Sequence, residues 1–253
     1  MTIKLVISGC CGRMGSRIAS LGLRDTGFTV AGAIESAGHQ AVGHDLGSRL
    51  SQGSPIGVPI TDDAKAAINA GDVLIEFTGP EATIEHVRLA AQLKKPAVIG
   101  TTGLTDAQRA EIVQAAKTIP IVLSPNMSVG VTLLFELAQL AAQRLGSAYD
   151  IEIVEAHHKA KLDSPSGTAK RLAEVVAEGR RQPIEKIPVH AIRAGDIVGD
   201  HTVVFAGPSE RLELTHRAQS RDVFAQGALR AARFLAGRPP AKLYDMRDVL
   251  RVE

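Results

Sequence analysis

Apolar and polar positions follow two different rhythms along this chain, and the change between them falls near its midpoint. In the first half, short unbroken apolar runs recur at Ile3 to Ser8 (IKLVIS), Thr29 to Ile34 (TVAGAI), Val73 to Phe77 (VLIEF), Ala97 to Ile99 and Ile119 to Leu123. Runs of this length without alternation suit strands buried on both faces, as in a parallel sheet covered by helices. Helical spacing fills most gaps, over about Arg13 to Leu23, Pro80 to Lys94 and Thr105 to Lys117. Five strands alternating with helices predict an open parallel α/β sheet whose ligands gather at the carboxyl ends of the strands. Between Ala37 and Asp63 the period is lost among glycines, serines, histidines and two prolines, which predicts a long loop.

From Ser128 the rhythm changes. Ser128 to Leu145 is a long apolar helical pattern that carries the chain into a second domain. Asp150 to His157 (DIEIVEAH), Thr202 to Ala206 and Arg211 to His216 then alternate as half-buried strands do, and Ile187 to Ile192 is strand-like too. Thr168 to Ala177 is helical between them, and Phe224 to Leu235 is a final amphipathic helix. The expected fold is a Rossmann-type parallel-sheet domain over 1–127, to which the segment 221–253 returns, above all its tail Ala241 to Leu250. A smaller α+β domain over 128–220 has a mixed or antiparallel sheet with helices on one side. The bare face of that sheet can pair subunits.

Composition narrows the partners. The 253 residues carry a formal net charge of +2 and 3% aromatic content, so nucleic acid is not an expected partner. No apolar run approaches the ~20 residues needed to span a bilayer, and the opening MTIKLVISG lacks the build of a signal peptide. A cytoplasmic protein without a membrane partner is expected. Cys10 and Cys11 are adjacent, too few and too close for a disulfide framework or a zinc site, and fit a reducing compartment.

Candidate chemistry lies at the strand exits. After the first run come Gly9, Cys10, Cys11, Gly12, Arg13, Met14 and Gly15, where glycines permit a tight turn and close approach of a pyrophosphate to the start of the next helix. The usual dinucleotide fingerprint carries glycine where Cys11 stands, so the bare motif is weak, but a strand precedes it and a helix follows. Glu35 closes the second run at the ~20-residue distance where an acidic residue binds ribose hydroxyls. Further turns rich in glycine, threonine, serine and asparagine follow the later runs. Each taken alone is ordinary turn chemistry, and together they favour a binding edge.

The stretch Glu155 to Lys170, EAHHKAKLDSPSGTAK, concentrates histidines, lysines and a helix start. His157 and His158 should point to opposite faces of a strand, and His157 and Lys161 share a face if the segment stays extended. Ser166, Gly167 and Thr168 open a helix whose free amides and positive dipole end suit a carboxylate or phosphate. A metal site built from His157, His158 and Asp163 is disfavoured, because adjacent histidines diverge and no H-x-x-x-H spacing occurs. No metal is expected.

EAHHKAKLDSPSGTA, with GCCGRMG, GTTG, SPNMSVGV, SRDVFAQGALRAARFL and YDMRDVL, resembles the 4-hydroxy-tetrahydrodipicolinate reductase family, also called dihydrodipicolinate reductase, over essentially the whole chain. The resemblance implies homotetramers, and reduction of a cyclic unsaturated dicarboxylate by NADH or NADPH in lysine and diaminopimelate biosynthesis. It implies His157 as proton donor, Lys161 as second catalytic residue, and His158, Gly167 and Thr168 as substrate contacts, to which the reading of the helix start adds Ser166. It places the cofactor on Gly9 to Met14, Glu35, Gly100, Thr101, Thr102, Ser124, Pro125, Asn126 and Met127, and Gly15 and Phe77, at the same strand exits, complete the candidate cofactor residues. Cys11 and Ser36 depart from patterns seen in some members, the second where arginine would pair with a 2′-phosphate, and Glu76 replaces a more usual aspartate. Glu35 with an uncharged Ser36 predicts a preference for NADH, opposed by Arg13, which can reach a phosphate. Arg221 either pairs with substrate or holds the domains together. The alternatives are another two-domain nicotinamide-dependent reductase of a small carboxylated substrate and a non-catalytic dinucleotide sensor.

Overall fold

The computed structural model describes residues 2–50, 53–240 and 242–251; Ala241, at the head of the tail expected to return to the first domain, lies outside the described residues. The chain divides into two compact units, residues 1–127 with 224–253, and residues 128–223.

The first unit alternates β1 (Ile3–Ser8), α1 (Arg13–Gly22), β2 (Phe28–Ile34), α2 (Leu46–Arg49), β3 (Ile60–Thr61), α3 (Ala64–Ala70), β4 (Val73–Glu76), α4 (Pro80–Gln92), β5 (Ala97–Ile99), α5 (Asp106–Ala115) and β6 (Ile121–Leu123). The second unit holds α6 (Val129–Leu145), β7 (Asp150–His157), α7 (Gly167–Arg180), β8 (Val189–Arg193), β9 (Asp200–Ala206) and β10 (Arg211–Arg217). The chain then passes through α8 (Asp222–Leu235), β11 (Leu243–Tyr244) and α9 (Met246–Leu250).

Among the described residues, the sheet of the first unit has seven strands in the order β11-β6-β5-β4-β1-β2-β3, every pair parallel. Reversal of strand order beside β1 makes the crevice at which open α/β sheets bind ligands. Apolar residues of one strand phase (Val6, Leu74, Ile99, Ile121) pack with α3, α4 and α5 in one cluster. Leu5, of the other phase, lies toward Gly22 of α1, where Leu229 of α8 also approaches. Both faces are therefore covered, which is why these strands read as unbroken apolar runs.

Two expectations need correction here. Among its described residues, the segment Ala37 to Asp63 is not a structureless loop: it contains α2 and β3, the Asp45 carboxylate capping the first through the Ser48 amide and gathering the amides of Ile56, Gly57 and Val58. The sheet has seven strands rather than five, because β3 and β11 are two residues each and so short a strand leaves no period to read.

The second unit is a four-stranded mixed sheet, order β10-β9-β7-β8, with β8 parallel to β7 and the other pairs antiparallel. Residues of α6 and α7 share one core cluster with Ile151, Ile153, Val203 and Phe205. Side-chain caps start both helices: Ser128 accepts the Val131 amide and Ser166 the Ala169 amide, each filling one of the donors a helix start leaves open. Among the described residues no helix is long and apolar enough to cross a membrane.

Candidate active site

In the first unit the strand exits converge. Gly9 has φ +69°, and a Cβ on Gly15 would lie 2.1 Å from the Gly9 carbonyl oxygen, so both positions require glycine. Gly12 caps α1 without a side-chain hydrogen bond, and Gly79 does the same for α4. Two helix starts at adjacent strand exits thus keep open the donors that α5, α6 and α7 give to side-chain caps. The Phe77 ring fills the space beside Gly100, where a Cβ would come within 2.2 Å of it, and the Phe77 carbonyl approaches Gly9. Thr101 is buried and Thr102 exposed. The Ser124 hydroxyl closes its turn onto the Asn126 carbonyl at 2.7 Å, with Pro125 exposed between them. Met127 is buried rather than open, its carbonyl crowding Gly227 of α8.

Glu35 stands where β2 leaves the sheet, its carboxylate accepting the Cys11 amide at 3.1 Å and the Ser36 amide at 3.0 Å. Cys10, Cys11 and Glu35 bring three potential donor atoms within 4.8 Å of one another. Burial holds both thiols in their protonated form by pushing them up, and the carboxylate is already engaged, so the group is a turn closure rather than a prepared metal site. Arg49 of α2 lies close enough to act electrostatically on Cys11. Exposed Arg13 and Ser36 flank the same corner.

In the second unit, strand phase decides the site. Ile151, Ile153, Glu155 and His157 are the buried positions of β7, and His201, Val203 and Phe205 those of β9. Register sets Glu155 opposite His201 and His157 opposite Arg193. Glu155, with no exposed surface, accepts four hydrogen bonds: from Arg193 Nη2 at 2.7 Å and Nη1 at 2.9 Å, from the Ser166 amide at 3.1 Å, and from His157 Nδ1 at 2.5 Å. Burial alone would raise its carboxyl, but these donors outweigh it and hold the group below the ordinary carboxylate range.

An ionised Glu155 keeps a proton on His157 Nδ1, which leaves Nε2, beside Gly199, as the atom free to exchange one. Burial, helped by Lys161 and Arg193 and opposed by Glu155, lowers the His157 pKa. The His201 ring meets His157 edge-on at 5.2 Å, and its Nε2 lies 3.2 Å from the Ser166 hydroxyl. Burial pulls His201 down to about 4.

The segment after β7 does not stay extended. The Lys161 amide donates to the His158 carbonyl at 3.1 Å, a tight turn that ends the alternation and removes the shared-face argument for His157 and Lys161. The turn nonetheless keeps Lys161 within electrostatic reach of His157, its ammonium 2.8 Å from Asp163. His158 is half-buried past the strand end. Gly167 is exposed with open space beside it, and Thr168 is half-buried on the first turn of α7.

Glu155, Arg193 and His201 are absent from the sequence-based site. For Glu155 and His201 the signal was present, since each occupies an apolar phase of its strand and a buried charge or imidazole needs partners.

The two halves match the two models of one family: residues 3–127 the dihydrodipicolinate reductase N-terminus and residues 130–250 its C-terminus. The chain belongs to the dihydrodipicolinate reductase family. It is 48% identical to a 4-hydroxy-tetrahydrodipicolinate reductase of Anaeromyxobacter dehalogenans, over 98% of this chain and 97% of that one. It is 47% identical to a reductase of the same name from Ralstonia nicotianae, over 98% and 99%. Among solved structures, a dipicolinate-bound dihydrodipicolinate reductase from Paenisporosarcina sp. TG-14 superposes with a TM-score of 0.82 at 25% identity, covering 98% of this chain and 99% of that chain. An amine dehydrogenase from Mycobacterium smegmatis shares the fold at a TM-score of 0.66 and 16% identity. Membership in this reductase family supports a nicotinamide cofactor. The glycine positions that exclude a Cβ and the uncapped start of α1 fit its pyrophosphate.

Proposed function

We propose that this chain reduces 4-hydroxy-tetrahydrodipicolinate to tetrahydrodipicolinate with NADH or NADPH, a step of lysine and diaminopimelate biosynthesis. The observation that carries the reading is the Glu155–His157 pair beside the start of α7, in a chain that matches both halves of the reductase family. The parallel-sheet unit is the cofactor half and residues 128–223 the substrate half.

The bound reduced nicotinamide supplies a hydride. Reduction leaves negative charge on the substrate ring, and His157 Nε2 is the proton source for it. Because Glu155 retains the Nδ1 proton, the ring can donate from Nε2 only as imidazolium. With substrate absent, His157 is held low and neutral. A dianion beside it favours the charged ring, so binding recruits the proton that catalysis spends. Lys161 and the first amides of α7, at Gly167 and Thr168, hold the substrate carboxylates, with His158 and the Ser166 hydroxyl beside them. Dipicolinate, found on the Paenisporosarcina enzyme, is a flat dicarboxylate of this type.

Glu35 would take the ribose hydroxyls of the cofactor, and with an uncharged Ser36 next to it favours NADH over NADPH. Exposed Ile192, paired with Ala156 on the face of the sheet away from α6 and α7, supports pairing of copies into a homotetramer. The two free thiols suit the cytoplasm.

The test is substrate made in place from aspartate semialdehyde, pyruvate and the upstream synthase, with oxidation of each cofactor followed. His157→Gln should lose about 100-fold or more in turnover while keeping NADH affinity. Full turnover by that variant rejects the assignment, and absence of substrate-dependent oxidation by the wild type rejects the activity.

A further inference from the structure

Glu76 ends β4 with no exposed surface and takes no part in the chemistry above. Its Oε2 lies 2.7 Å from His86 Nδ1, and the same nitrogen lies 3.1 Å from the Ser8 hydroxyl at the end of β1. Its Oε1 accepts the Thr78 amide at 3.0 Å, the Thr78 hydroxyl, and at 3.5 Å the Thr83 hydroxyl. Thr83 Oγ1 in turn lies 2.7 Å from Thr101 Oγ1. One carboxylate therefore connects the exits of β1, β4 and β5, three neighbours in the sheet. Those exits carry Gly9, Phe77 and Gly100, which also interlock sterically.

A central buried strand ends more simply on an apolar residue, and a buried carboxylate is a costly way to gain stability. Fully satisfied polar networks of this kind fix geometry. Thr78 is tied to one oxygen by both its amide and its hydroxyl, so its turn cannot rotate without breaking two bonds. Burial pulls His86 down, yet Glu76, with Glu85 on the same helix, outweighs this and raises it, consistent with an ion pair.

We infer that Glu76, acting with His86 and Thr83, is a positioning residue for the dinucleotide, setting the Gly9, Phe77–Thr78 and Gly100–Thr101 turns against one another before the cofactor arrives. The inference rests on the reading of the first unit as the cofactor half. Glu76 acts through the turns and touches no reacting atom.

The chain has 0 tryptophans, so fluorescence of bound NADH can be followed without interference from indole. NADH is titrated into the full-length wild type and the Glu76→Ala, Glu76→Gln and Thr83→Val variants, and each is assayed with substrate generated in place. Glu76→Ala and Thr83→Val should weaken NADH about tenfold, the size of one preset hydrogen bond lost. Glu76→Gln keeps an oxygen for Thr78 and an amide for His86, and should stay within about twofold. Turnover at saturating NADH, and the KM for the dicarboxylate, should change less than about twofold in all three. Thr83→Val is isosteric and carries the comparison if Glu76→Ala does not fold. Unchanged NADH affinity in the variants that fold overturns the inference, as does a matched loss of turnover and dicarboxylate KM. Failure of the wild type to bind NADH is a separate result, which removes the cofactor reading itself.

Discussion

Glu155 and His157, two residues apart on the buried face of β7, are joined through Nδ1 at 2.5 Å, so the strand's own period delivers the carboxylate to the imidazole. The Arg193 fork keeps Glu155 ionised from the other side. In Glu155→Gln the negative neighbour that favours imidazolium is gone. Turnover should fall about 10–100-fold with NADH affinity unchanged, and the alkaline limb of the pH–rate profile should move to lower pH. An unmoved limb would show that His157 does not sense Glu155.

His201 supplies a pH dependence of stability. Its pKa falls to about 4 on folding from an ordinary value of 6.5, which ties roughly 3 kcal/mol of stability to pH. Above the unfolded value both states hold the ring neutral and the contribution is complete. As pH drops below it, only the unfolded chain takes up the proton, and stability is lost progressively toward the folded value. The lowered Glu155 carboxyl adds a loss of the same sign at still lower pH. Denaturant melts from pH 7 to 4 should show a steeper decline for the wild type than for His201→Gln; parallel curves contradict this.

Cofactor choice turns on the corner after β2. Ser36→Arg places a cation next to Glu35, where a 2′-phosphate lies in NADPH, and should raise kcat/KM for NADPH relative to NADH by about tenfold. Arg13 and Arg49 already border this corner, so the wild-type preference for NADH should be modest. Steady-state kinetics with both cofactors decide it.

Gly227 of α8 admits no side chain, since a Cβ would lie 1.7 Å from the Met127 carbonyl oxygen. Backbone must move to relieve such an overlap. Gly227→Ala should therefore lower stability by about 3 kcal/mol, visible as a depressed Tm, and a variant that melts with the wild type would show that the two segments separate freely.

Much of the fold was legible because its elements are long enough to display a period. Unbroken runs such as VLIEF belong to strands covered on both faces, and the alternation of HTVVF and RLELTH belongs to a sheet with one open face. β3 and β11 escaped because two residues carry no rhythm and their placement is set by the neighbouring strand. In the candidate site, His157 and the Ser166 helix start were legible as a local cluster. Arg193 and His201 come from strands paired with β7 by register, which no spacing along the chain encodes. The exchange of the expected aspartate for Glu76 had no reading until its carboxylate was seen to span three strand exits.

The edge strand β11 lies against β6, yet it is made only after the whole of the second unit has been synthesised. On the ribosome, residues 128–223 emerge as a continuous stretch able to gather their own core while the parallel sheet still lacks its last strand and α8. The unit whose first strands precede residues 128–223 is thus completed only after them, and a nascent chain stalled before Leu243 presents an unpaired flank of β6 for a chaperone or a stray strand to find.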